Sequence, residues 1–147
     1  MIASVSDPYN LRRFINAQAS IFESALAELR AGKKRTHWMW FIFPQLRGLG
    51  QSVAAQYYGI GSLDEAGVYL DHLVLGPNLR EATEAMVSWS ARRTAEQVLG
   101  PVDAMKLRSS MTLFDQVEPN GLFDEALDGF YRGERDKRTL ELLNARA

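Results

Sequence analysis

The sequence predicts an all-α fold, a single compact domain over 1–147 built from about eight or nine short helices in orthogonal-type packing. Three observations carry this expectation. Apolar residues recur at spacings of three and four. Glycine and proline divide the chain into pieces of helical length. No alternating run rich in β-branched residues offers a strand with a partner.

The elements follow in order. Leu11, Phe14, Ile15, Ile21, Phe22, Ala25, Leu26 and Leu29 form one apolar stripe, which predicts a first helix over 8–31 that ends at Gly32 as a C-cap glycine. Thr36 to Phe43 is apolar on all sides and stopped by Pro44. It is read as a short buried helix, because nothing nearby resembles a strand partner. A short helix is expected over 52–57. Ser62 and Glu65 have capping-box spacing and open the next helix, which carries Ala66, Tyr69 and Leu70. Leu79, Ala82, Met86 and Trp89 mark a helix over 76–91, and 94–99 adds one or two turns. Pro101 occupies a favoured first helical position for a helix running to Phe114. Phe123, Leu127, Phe130 and Tyr131 mark another, and Asp136 caps a last one with Leu140 and Leu143 inward.

Composition narrows the function classes. A chain of 147 residues with 46% hydrophobic residues can bury a core without a metal or disulfide. The 17 basic residues nearly balance the 18 acidic ones, so no global field draws the protein to nucleic acid or an anionic membrane. The absence of cysteine removes thiolate nucleophiles and cysteine-based metal sites. No histidine or carboxylate set has metal-ligand spacing, and nothing asks for a cofactor. Met1 to Asn10 shows no targeting signal, and the apolar run from Trp38 to Phe43 is too short to span a bilayer. A cytoplasmic location is the expectation.

Four features are candidates for chemistry. Gln18 falls inside the apolar stripe of the first helix, where its amide must find partners, either in the backbone of a loop or in a ligand. His37 to Gln45 packs two Trp and two Phe between a histidine and a glutamine. Most of that block belongs in a core, but Trp38 and Trp40 point different ways, and one of them is free to wall a cleft. His37 is the acid–base candidate of this segment. Gly48-Leu49-Gly50 precedes a short helix and is read as a plain turn, since it lacks the lysine of a phosphate-binding loop. On a helix Asp103, Lys106 and Ser110 share a face with Ser109 beside them, an arrangement that fits either a surface ion pair or a lysine beside a nucleophile. A basic run, Arg30, Lys33, Lys34 and Arg35, is a further candidate for anion binding.

These residues also carry a resemblance. Arg13-Phe14 with Gln18, the run from His37 to Leu46, Gly48-Leu49-Gly50 with Ser52, and Ser109-Ser110-Met111-Thr112-Leu113-Phe114 resemble a bacterial family of uncharacterised small proteins often labelled "calpastatin". The likeness runs from about Asn10 to Leu143, and it implies a compact all-helical domain without an assigned activity. The chain departs from that family at Leu73 and Asn78, where proline and arginine are expected. A looser similarity links it to helical ADP-ribose-processing proteins, whose catalytic glutamate has no matching position here.

The functional expectation is a small-molecule site for a nucleotide-like or phosphorylated ligand, hydrolytic in one version, formed around the His37–Gln45 and Ser109–Phe114 segments. Gln18, His37, Trp38, Trp40, Gln45, Lys106, Ser109 and Ser110 are the binding candidates, and His37 and Lys106 the catalytic ones. The alternatives are a protein-interaction module without catalysis and nucleic-acid binding through Arg30 to Arg35.

Overall fold

A computed structural model describes residues 6–146; residues 1–5, part of the stretch read above for a targeting signal, and residue 147 lie outside the described residues. The described residues form ten helices: α1 (Arg12–Gln18), α2 (Phe22–Arg30), α3 (Met39–Ile42), α4 (Val53–Tyr57), α5 (Leu63–Asp71), α6 (Leu75–Val87), α7 (Ala95–Leu99), α8 (Pro101–Val117), α9 (Leu122–Tyr131) and α10 (Lys137–Ala145). No helix among the described residues is long and apolar enough to cross a membrane.

The expected first helix is two. The stripe is continuous, but the chain turns at Ala19–Ile21, where Ile21 N–H donates to Gln18 C=O at 3.1 Å. The break sends α1 against α3 and α2 against α6, two neighbours that one straight helix would not serve in this way. Arg30 ends α2. Lys33 N–H then donates to Glu28 C=O at 3.1 Å and Gly32 N–H to Leu29 C=O at 3.0 Å, the paired bonds of a Schellman cap. Gly32 has φ +76°, and a Cβ there would sit 2.8 Å from the Trp89 ring, so conformation and packing both demand glycine.

Two helices organise the core. Helix α6 packs against α2, α3, α5 and α9, and α8 packs against α5, α7, α9 and α10. Because α8 is central, seven successive residues, Ser109 to Asp115, are buried, which leaves its second half without a solvent face. Leu75, Leu79 and Met86 of α6 meet Phe114, Leu107 and Met111 of α8 in one cluster with Phe14, Trp38, Tyr69 and Phe123.

The aromatic block forms less helix than expected, only the single turn of α3. Beyond Pro44 the chain runs beside Ile60 in a two-bond parallel bridge: Arg47 N–H donates to Ile60 C=O at 2.7 Å and Ile60 N–H to Gln45 C=O at 2.9 Å. Ser62 caps α5 through its hydroxyl, at 3.1 Å from Glu65 N. The return half of the capping box is absent. The Glu65 carboxylate instead accepts Gly61 N–H at 3.0 Å and the Arg13 guanidinium at 2.7 Å. Thr94 and Gln97 form the complete box, at α7. Asp136 caps α10 as expected, accepting Thr139 N–H at 3.1 Å. Leu142 joins Leu143 against the core, in place of Leu140.

The loop between α2 and α3 is tied down by one carboxylate. Glu28 accepts Arg35 N–H at 2.6 Å, Thr36 N–H at 3.0 Å, the Thr36 hydroxyl at 2.6 Å and the Trp38 indole N–H at 3.0 Å. Burial works to raise its pKa, but the hydrogen bonds from the Thr36 hydroxyl, Arg35, the Trp38 indole and Thr36 N–H together outweigh it and hold the group at about 2 against an ordinary 4.5. A carboxylate depressed on folding contributes stability above pH 4.5, and that contribution disappears as pH falls toward 2. Glu28→Gln is therefore expected to cost about 1–3 kcal/mol at neutral pH. Urea denaturation of both proteins across the acid range should show the difference shrinking below pH 4.5. A constant difference would mean that the carboxylate charge is not what holds the loop.

Candidate functional site: a cleft between the aromatic turn and two C-terminal-half helices

Helix α3 and the loop after it, the first half of α8 and the start of α10 enclose a cleft of about 320 Å³ lined by Trp40, Gln45, Leu49, Gly50, Val102, Met105, Lys106, Ser109, Asp136 and Arg138. Its construction follows from local structure. Two residues of helical rotation, about 200°, put Trp38 and Trp40 on opposite sides of the turn, so Trp38 is wholly buried while Trp40 remains half-exposed at the cleft wall. On α8, Val102, Met105, Lys106 and Ser109 recur at spacings of three, one and three, which places them on one face. Val102 and Met105 are largely exposed, at 64% and 72%, and give the cleft an apolar floor.

The polar groups divide into satisfied and unsatisfied ones. Lys106 Nζ lies 3.1 Å from Asp103 Oδ1 and 3.9 Å from the centroid of the Trp40 ring. Asp103 Oδ2 pairs in turn with Lys34 Nζ at 2.9 Å. The Ser109 hydroxyl is 3.1 Å from Asp136 Oδ2 and 3.3 Å from Met105 C=O. The same Asp136 oxygen accepts the Thr139 hydroxyl at 2.5 Å, and Asp136 N–H donates to Thr112 Oγ1 at 2.9 Å. Gln45 differs from all of these. It is only 8% exposed, it lines the cleft, and its side-chain amide has no hydrogen-bond partner among the described residues, only its backbone carbonyl being bonded.

The structure therefore brings together Trp40, Gln45, Lys106 and Ser109 of the residues singled out from sequence, and separates the rest. Gln18 is a core tie: its Nε2 lies 2.8 Å from Phe41 C=O and 3.2 Å from the Tyr69 hydroxyl, and its Oε1 accepts Asn78 Nδ2 at 2.9 Å. Asn78, one of the two departures from the family pattern, thus completes the Gln18 amide. Trp38 is core. His37 is exposed and does not line the cleft, so it offers no acid or base there. Ser110 is fully buried and its hydroxyl has no partner among the described residues. Lys106 lies against Asp103 and Trp40, and no lysine–serine pair forms. The basic run is dispersed: Lys34 pairs with Asp103, Arg30 lies 3.7 Å from Glu81, and Lys33 and Arg35 point to solvent.

Sequence reasoning did not place Asp136 and Arg138 at the site. Asp136 was legible as a helix cap, but nothing local says that the capped end abuts α8. Leu49 and Gly50, read as a plain turn, also wall the cleft.

The comparisons bear on the whole chain. A crystal structure of the conserved hypothetical protein Rv1873 from Mycobacterium tuberculosis is similar at 50% identity and a TM-score of 0.91, over 94% of this chain and 99% of that one. No curated protein matches. The family model described as protein of unknown function (DUF1810) matches residues 8–143, and the chain belongs to that family.

Proposed function

We propose that the protein binds a small molecule, nucleotide-like or phosphorylated, in the cleft around Trp40, Gln45 and Lys106. The observation that supports this reading is Gln45. Its amide has no protein partner among the described residues and is not sealed from solvent, so it is free to exchange water for hydrogen bonds to a molecule that enters the cleft. Gln45 can donate and accept at once, which suits the edge of a base or an amide. The apolar floor of Val102 and Met105 and the cations Lys106 and Arg138 complete a site with mixed character.

Binding without turnover is preferred to hydrolysis. The Ser109 hydroxyl faces a carboxylate already engaged in holding α10, and the histidine expected to act as acid or base is elsewhere. The dispersal of the basic run weakens the nucleic-acid reading.

The test is thermal denaturation of the wild type and Gln45→Leu with nucleotides, ADP-ribose, NAD and sugar phosphates. A ligand at 100-fold above its Kd is expected to raise the wild-type melting temperature by roughly 5–10 °C. Gln45→Leu should lose that shift while its ligand-free melting temperature stays close to that of the wild type, since the Gln45 side chain makes no hydrogen bond to the described residues. If no compound moves the wild type, the protein-interaction reading replaces this one, with the exposed Leu63, Val68, Leu73 and Val74 as its first candidates.

A further inference from the structure

We propose that Lys34, a residue outside the cleft, sets the charge of the cleft and thereby selects a compact oxyanion, a phosphate or carboxylate group, as the part of the ligand that Lys106 holds. This inference rests on the cleft being a binding site.

The geometry is that of one carboxylate shared by two cations. Asp103 offers Oδ1 to Lys106 at 3.1 Å and Oδ2 to Lys34 at 2.9 Å. The two lysines are unequal. The Lys34 side chain is 9% exposed against 21% for Lys106. Its backbone is fixed by a 2.7 Å hydrogen bond to Val98 C=O, and its ammonium lies 5.1 Å from the centroid of the Trp38 ring. The more buried cation is the less hydrated and depends more on its partner. The charge of Asp103 is therefore claimed by Lys34, and the unit of positive charge left over appears at Lys106, the member that lines the cleft. The Trp40 ring attracts that ammonium without neutralising it. Arg138 adds a second cleft cation, with no ion pair among the described residues. Asp136 opposes them, but its Oδ2 is already surrounded by the Ser109 hydroxyl and by the hydroxyl and N–H of Thr139. A volume of about 320 Å³ lies at the small end of ligand pockets, so a single anionic group on a body no larger than a mononucleotide fits best.

The test is titration calorimetry with AMP, adenosine, inorganic phosphate and succinate at fixed ionic strength, using the wild type, Lys34→Met and Asp103→Asn. Methionine keeps the apolar stem of Lys34 and removes its charge, turning Asp103–Lys106 into a neutral pair. Lys34→Met is expected to weaken AMP about fivefold, for a charge acting across several ångströms of wet protein, and to leave adenosine unchanged. Asp103→Asn is expected to tighten AMP, so the proposal stays testable should either variant fold poorly. Phosphate bound in preference to succinate assigns the oxyanion as a phosphate, and the reverse as a carboxylate. Wild-type AMP affinity in Lys34→Met, an equal loss for adenosine and AMP, or weaker AMP binding in Asp103→Asn would each overturn it. If adenosine binds the wild type as tightly as AMP, the cleft reading stands and this inference falls. If none of the four compounds binds, this inference falls together with the cleft reading for this ligand class.

Discussion

Arg13→Met is expected to destabilise the protein by about 3–5 kcal/mol, a third or more of the total for an ordinary domain. Arg13 and Glu65 form a buried ion pair at 2.7 Å with side chains 4% and 6% exposed. The guanidinium also donates to Tyr57 C=O at 2.8 Å, Tyr9 C=O at 2.6 Å, Asn10 C=O at 2.8 Å and Gly59 C=O at 2.9 Å. It therefore ties the chain entering α1 and the loop after α4 to the first turn of α5. Methionine fills much of the volume but strands the Glu65 charge and takes the guanidinium from the Tyr9 and Tyr57 carbonyls, while Gly59 C=O keeps Arg47. The double variant Arg13→Met/Glu65→Leu removes both charges, and should recover part of the loss. Urea denaturation of the wild type and the two variants measures this directly. A loss below about 1 kcal/mol for Arg13→Met would place the pair among surface ion pairs in its energetics and contradict its burial.

Trp38→Ala is expected to cost about as much, 3–5 kcal/mol, through the cavity left by the largest fully buried side chain. Trp38→Phe should cost less, about 1 kcal/mol for the hydrogen bond to Glu28 plus a smaller packing loss. Comparing the two by denaturation separates volume from the indole N–H. Equal costs would assign the whole effect to the Glu28 bond. The variants also report on the loop that carries Lys34, because Trp38 and Lys34 are held by the same segment.

Where periodicity is the signal, the sequence was informative. The helices α2 and α5 to α9 lie close to where apolar spacing, a capping serine and Pro101 place them. It failed where tertiary partners decide. The turn at Ala19–Ile21 interrupts a stripe that is helical by every local criterion, because α3 and α6 lie in different directions. Glu65 has the spacing of a capping-box residue, but its carboxylate is diverted to a guanidinium 52 positions earlier, which no local pattern announces. At the site, the polar residues flanking the Trp block pointed to a cleft, and Trp40, Gln45, Lys106 and Ser109 do meet there. His37 was drawn in by adjacency alone. Two residues after it, α3 begins and turns the chain inward, so the histidine is left outside. Asp136 and Arg138 were missed because their place depends on where α10 docks.

The joint at Asp136 has a consequence for motion. Of α10, only Thr139 is fully buried, so the helix has little apolar surface anchoring it and belongs among the parts that open at the smallest free-energy cost. Yet its first turn supplies Asp136 and Arg138 to the cleft, and Asp136 joins it to α8 through Ser109 and Thr112. One wall of the cleft is thus carried by a lightly buried helix. Displacing α10 would carry Asp136 and Arg138 out of the cleft wall, so the shape of the cleft depends on how that helix is seated.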